Sequence, residues 1–144
     1  MSHGAAAVVA ATAWLWLGMV LAISFLEAPL KFRAPGVDLP IGLGIGRLVF
    51  RALNAVECLF AVVVALAVLL GGPTSGVTLA AVAAIVVLGV QLVGVRPALG
   101  RRSDAVLAGL TGPETPRSTA HWWYVGLELL KVAALIALGT AALS

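Results

Sequence analysis

The sequence is short of the residues on which most soluble catalysts depend. Among 144 residues there are one cysteine, one tyrosine and two histidines, and only 10% are charged. A lone cysteine, Cys58, excludes an internal disulfide and a CxxC redox pair. His3 and His121 are too few and too far apart to build a zinc or haem site, so no metal ligand set is read. Nor is there a catalytic triad or a phosphate loop: the GLGIG of residues 42–46 follows no strand and lacks GxGxxG spacing. The scarcity of charge, beside 62% hydrophobic residues, lies far from soluble domains, which carry about one-quarter charged residues.

What is abundant is apolar sequence in long runs. Crossing a hydrocarbon core takes about 20 apolar residues, and such stretches fit at residues 5–26, 48–70, 77–95 and 120–143. The pattern predicts an all-α, four-transmembrane-helix bundle forming a single integral membrane domain over residues 1–144. All basic residues except Lys131 lie outside these spans or at their ends: Lys31, Arg33, Arg47 and Arg51 around the first connection, Arg96, Arg101, Arg102 and Arg117 around the third. A net charge of +3 placed in this way reads as membrane topology, not as a nucleic-acid surface. The positive-inside rule puts the first and third connections in the cytoplasm and both termini on the non-cytoplasmic side. Residues 1–26 contain no Lys or Arg, unlike the basic start of a signal peptide, so the first span is expected to stay in the mature protein.

The connections differ in kind. GGPTSG, residues 71–76, is a tight turn that makes the second and third spans antiparallel neighbours. The first connection, EAPLKFRAPGVDLPIGLGIGR, is expected to lie along the membrane interface, the first helix having ended at Glu27, before Pro29 and Lys31. The third predicts a short helix over residues 103–110 with Ser103 as N-cap, followed by a mobile TGPETPRST. Small residues four apart, Gly18 with Ala22, Ala61 with Ala65, Ala80 with Ala84 and Ala133 with Ala137, suit close helix contacts. Cys58 reads as a small buried hydrophobe.

Against this background a few polar residues stand out. No charged residue occurs from Cys58 to Val95, yet Glu57 heads that run. At about 100° per residue, Arg47, Phe50, Arg51, Asn54, Glu57, Cys58 and Ala61 share an arc of roughly 120° on the second helix. On the fourth, His121, Tyr124, Glu128 and Lys131 share an arc of roughly 80°. Glu57 lies ~9 Å beyond Arg51 and Glu128 ~10 Å beyond His121, so the two stripes reach similar depth. Gln91 on the third span, and Ser24 and Glu27 on the first, complete the set. Charges within a bilayer cost roughly 2.5–3.5 kcal/mol each and turn toward protein or water. Lys131 is therefore expected to pair with Glu128 and, across the bundle, with Glu57. Three carboxylates then face one deep lysine, and Arg47 and Arg51, a proton or a bound cation must make up the difference. Trp122 and Trp123 read as an aromatic belt, with Tyr124 alone on the polar stripe.

Two resemblances follow from these residues. SFLEAPLKF, residues 24–32, with LPIGLGIGRLVFRALNAVE, residues 39–57, resembles small bacterial four-helix membrane proteins of uncharacterised function, which implies the fold and an inner-membrane location. RALNAVE, residues 51–57, is similar to the arginine, asparagine and glutamate motif of the membrane-associated proteins in eicosanoid and glutathione metabolism. That resemblance implies a trimer with glutathione as cofactor, Arg51 contacting a glutathione carboxylate or the thiol, and Asn54 and Glu57 holding the peptide. Here two residues separate Arg51 from Asn54 where that family has three, a rotation of about 100°.

Three functional expectations result. The first is a binding or transport protein of the bacterial inner membrane, its polar pocket in the cytoplasmic half formed by Asn54, Glu57, Gln91, Tyr124, Glu128 and Lys131 and its solute, cationic or polar, exchanged in a proton-linked way. It needs no cofactor. The second is a glutathione-using enzyme built on Arg51, Asn54 and Glu57. The third is an accessory subunit whose buried charges set helix packing. In each the partners are the lipid bilayer and further copies or chains of a membrane complex.

Overall fold

A computed structural model describes residues 1–109 and 119–144 of the chain. Every regular element among them is helical, and four helices are long and apolar enough to cross a membrane: α1 (His3–Arg33), α2 (Leu39–Gly71), α3 (Ser75–Leu107) and α4 (Thr119–Leu143). Ser2, Asp38 and Thr74 cap α1, α2 and α3, each side-chain oxygen accepting a backbone N–H of the first turn. Gly72, at φ 64°, closes α2 in the left-handed conformation that glycine adopts at no steric cost.

The first three helices, of 31, 33 and 33 residues, are longer than expected. At 1.5 Å per residue they measure roughly 45–50 Å, against a hydrocarbon core of ~30 Å. The first helix does not end at Glu27; it runs through Pro29 to Arg33, leaving only a short link before Leu39. Nor does a separate helix begin at Ser103, since α3 runs unbroken to Leu107 with Ser103 inside it; residue 110 of the expected helix lies outside the described residues. In both cases the proline is accommodated by a widened turn just before it. Leu21–Glu27 and Gln91–Val95 are π-helical, with Ala28 N–H donating to Ile23 and Arg96 N–H to Gln91, five residues back. That register relieves the clash between a proline ring and the carbonyl four residues earlier, which would otherwise break the helix ahead of Pro29 and Pro97. Residues 111–118 of the TGPETPRST segment lie outside the described residues.

Around the bundle the order is α2, α1, α4, α3; the sequence neighbours α2 and α3 touch less than the other adjacent pairs. The end holding the 72–74 turn is closed. Val9, Ala13, Val64, Val77, Ala81 and Leu138 form one apolar layer there, and Trp16, Val20, Ala84, Leu88 and Leu135 form the next. Ser2 N–H donates to the Gly71 carbonyl at 3.0 Å, tying the start of α1 to the end of α2. Of the small-residue pairs only Ala80 and Ala84 are both buried in the core. Gly18, Ala22, Ala133 and Ala137 face outward, and Ala61 and Ala65 are partly exposed. The close approach of α1 to α4 instead uses Gly139, where an added Cβ would lie 2.7 Å from the Trp14 indole.

The GLGIG motif also finds a packing role. A Cβ on Gly42 would fall 2.1 Å from the Phe32 ring, and one on Gly46 would fall 2.8 Å from Lys31 Nζ. Four residues apart on α2, the two glycines form a groove that receives the last turn of α1. In no helix is more than 39% of the most apolar stretch buried, so most of the apolar surface faces outward, as a bilayer solvent requires. Cys58 is on that outer face, exposed and not in the core as expected, because the arc that buries Glu57 turns its neighbour away.

Candidate functional site

Beyond the two apolar layers, the bundle holds a closed charged cluster. Glu57, Gln91, Glu128 and Lys131 are each at most 1% exposed and come from α2, α3 and α4. Lys131 Nζ donates to Glu57 Oε1 and to Gln91 Oε1 at 2.8 Å, and lies 3.1 Å from Glu128 Oε1. Gln91 Nε2 donates to Glu128 Oε2 at 2.8 Å, so the amide serves the lysine with one end and a carboxylate with the other. From α1, the Trp16 indole N–H donates to Glu57 Oε1 at 3.0 Å. An ammonium has three protons, and three partners surround this one.

The cluster is not balanced. Two carboxylates face one ammonium, and Glu57 Oε2 and Glu128 Oε1 are each buried without a hydrogen-bond donor. The arginines invoked to make up the difference do not reach the cluster: Arg47 pairs with Asp104 near the surface, and Arg51 is exposed. Glu27 is half-buried and pairs with Lys31 at 3.6 Å, so the third carboxylate stands apart from the cluster.

On the other side of the cluster from the apolar layers, residues of all four helices line a cavity of about 1030 Å³. Its wall includes Glu128, Tyr124 and Asn54, with Lys and Arg side chains from α1, α2 and α3. The two π-helical segments flank this region, Ser24 lying in one and Gln91 in the other. The Tyr124 hydroxyl lies 2.9 Å from Ser24 Oγ and accepts from Arg96 Nη2 at 3.2 Å, and Tyr124 shares the cavity wall with Glu128. The Arg96 guanidinium rests over the Phe50 and Tyr124 rings, 4.4 and 4.7 Å from their centroids, a cation–π arrangement that fixes its plane.

Of the residues singled out in the sequence, Glu57, Gln91, Glu128 and Lys131 meet directly, with Tyr124 in the cavity wall that Glu128 shares. Arg51 and Asn54 line the cavity, whereas Glu57 is turned from it toward Lys131 and Trp16. Trp122 and Trp123 face outward. Sequence reasoning missed Trp16 and Arg96 as members of the site. A signal for Trp16 was present: Trp14 and Trp16 are about 200° apart on a helix, so both cannot face lipid, and a buried indole N–H needs an acceptor.

Among the described residues no group of three or more His, Cys, Asp or Glu side chains is placed to hold a metal ion. Comparison with protein-family models, with curated proteins and with solved structures finds no match for this chain.

Proposed function

We propose that this is a multi-pass protein of the bacterial inner membrane, its basic end in the cytoplasm and both termini outside, that binds a small solute in the cavity and exchanges it against a proton held by the Glu57 and Glu128 pair. The observation that carries the reading is the contact between an open cavity and an unbalanced buried cluster: Glu128 belongs to both. Two carboxylates on one ammonium leave one negative charge that a proton would neutralise. Protonated, Glu128 would loosen its hold on Lys131, leaving the ammonium to Glu57, and the Tyr124 and Ser24 hydroxyls offer a route for that proton to the cavity. A solute entering the cavity changes the surroundings of Glu128, and this couples occupancy to protonation.

The test is a pH-difference infrared titration of the protein in lipid, following the protonated-carboxyl band. A pH-dependent protonated-carboxyl band that is lost in Glu128→Gln or Glu57→Gln is the expected result. Absence of any pH-dependent band would mean that neither carboxylate changes its protonation, and the proton-linked reading would fall.

A second reading, a glutathione-using enzyme, has support in one placement: Arg51 and Asn54 both line the cavity. It requires a saturable change in tryptophan emission or melting temperature on titration with glutathione, abolished by Arg51→Gln; a flat titration would exclude it.

A further inference from the structure

We infer that the cavity selects an amphiphilic anion: one carboxylate or phosphate group on an apolar body, the acid group held by Arg96, with Arg51 in the wall of the same cavity. The inference rests on the reading of the cavity as a solute site and names the chemical class of that solute.

Among the described residues the charge around the cavity is one-sided. Lys31, Arg47, Arg51 and Arg96 line it, and Glu128, which faces Lys131, is the one described carboxylate in its wall. Lys31 is offset by Glu27 and Arg47 by Asp104. Arg51 and Arg96 have no carboxylate within ion-pair distance among the described residues. Arg96 is the more informative of the two. It is half-buried, its plane is set by Phe50 and Tyr124, one nitrogen is used on the Tyr124 hydroxyl, and its Nε is buried with no acceptor. A buried donor left without an acceptor, as Arg96 Nε is, is a costly arrangement. The acceptor that suits a planar fork is a carboxylate or phosphate, bound through two nitrogens at once.

The rest of the ligand is read from the walls. Phe25, Phe32, Leu43, Leu99 and Val106 give the cavity large apolar stretches between the basic groups. A small inorganic anion would leave these walls wet, and an organic cation would meet uncompensated positive charge. A membrane lipid and a soluble organic acid share the required chemistry, and the same experiment separates them.

The protein in zwitterionic phosphatidylcholine nanodiscs is titrated with 4-phenylbutyrate, 4-phenylbutan-1-ol and 4-phenylbutylamine, which share one body and differ in charge, with melting temperature and tryptophan emission as readouts. Phenylbutyrate should bind at least about 10-fold tighter than the alcohol, and the amine weakest. Arg96→Gln should weaken phenylbutyrate by about 10- to 100-fold while leaving the alcohol unchanged. Arg51→Gln, at an exposed position, provides a second variant that does not disturb packing and should act in the same direction. Arg101→Gln, an equal loss of charge at an exposed residue that does not line the cavity, should change nothing.

If phosphatidylglycerol added to the disc competes with phenylbutyrate in the wild type and not in Arg96→Gln, the inference holds with a lipid as the source of the acid. Absence of competition with the selectivity intact supports a soluble acid. Equal or tighter binding of the alcohol or amine, or affinity unaffected by both arginine variants in folded protein, would overturn the anion while leaving the cavity a solute site. No response to any of the three probes would remove the solute-binding reading as well.

Discussion

Substituting Lys131 by methionine tests the cluster at its centre. Lys131 Nζ bonds Glu57, lies 2.8 Å from Gln91 Oε1 and 3.1 Å from Glu128 Oε1, and the side chain is 0% exposed. Methionine retains much of the apolar stem and removes the charge, so two buried carboxylates would be left with only the Trp16 and Gln91 donors. Removing one partner of a buried ion pair costs about 3–5 kcal/mol, because the charge left behind is neither hydrated nor paired. That is about 10²- to 10⁴-fold in the folding equilibrium. The assay is the unfolding transition in mixed micelles, followed by circular dichroism as denaturing detergent is added. The companion variant is Lys131→Met with Glu57→Gln, which removes one of the two carboxylates along with the lysine and so returns the cluster to its original net charge. It should be more stable than Lys131→Met alone by about 1–3 kcal/mol, the coupling expected of groups in direct contact. The reasoning is refuted if Lys131→Met unfolds within about 0.5 kcal/mol of the wild type, as a surface substitution would. Strictly additive substitutions would also refute it.

Further outcomes follow from the packing. Gly42→Ala, which drives a methyl group into the Phe32 ring, should destabilise by about 1–3 kcal/mol in the same assay; Gly46→Ala should cost less, because the Lys31 amine it meets is the end of a flexible chain. Gly139→Ala should lower stability and alter Trp14 emission, while Gly18→Ala, with nothing within 4 Å of its added Cβ, should leave both unchanged. Trp16→Phe removes an indole donor to a charged acceptor, worth about 1.5–3 kcal/mol. Its loss should be smaller in a Glu57→Gln background, which a double-mutant cycle measures.

Much of the cluster was legible in the sequence because charge is rare in an apolar run and helical geometry is simple. Residues 121, 124, 128 and 131 share a face at offsets of three, seven and ten, and depth matched them to Glu57 and Gln91 on other helices. Local propensity misled at Pro29 and in the 96–110 region. A proline after an apolar run signals a helix end, and nothing in the residue string announces that a π turn ahead of it will let the helix continue. The cavity was legible only in part. Asn54, Tyr124 and Glu128 of the expected pocket line it, but Arg96, which reads only as a topological charge at the end of a span, is also one of its walls. GLGIG was rightly set aside as a nucleotide loop, but its spacing of four was the better guide, since it sets two glycines on one helical face.

The two π turns have a consequence for how this chain can vary. An i→i+5 turn holds one residue more than the α turn it replaces, so the halves of α1 and of α3 on either side differ in phase by about 100°. The face that packs Trp16 and Leu88 in the closed layers is thereby uncoupled from the face that α1 and α3 offer around the cavity. Deleting one residue within 21–27 would restore a continuous α-helix and swing Ser24 or Pro29 to a different azimuth, remodelling the cavity without touching a core side chain. Insertions and deletions at these two points, more than substitutions, are therefore the changes by which a bundle with this closed end could acquire a differently shaped open one.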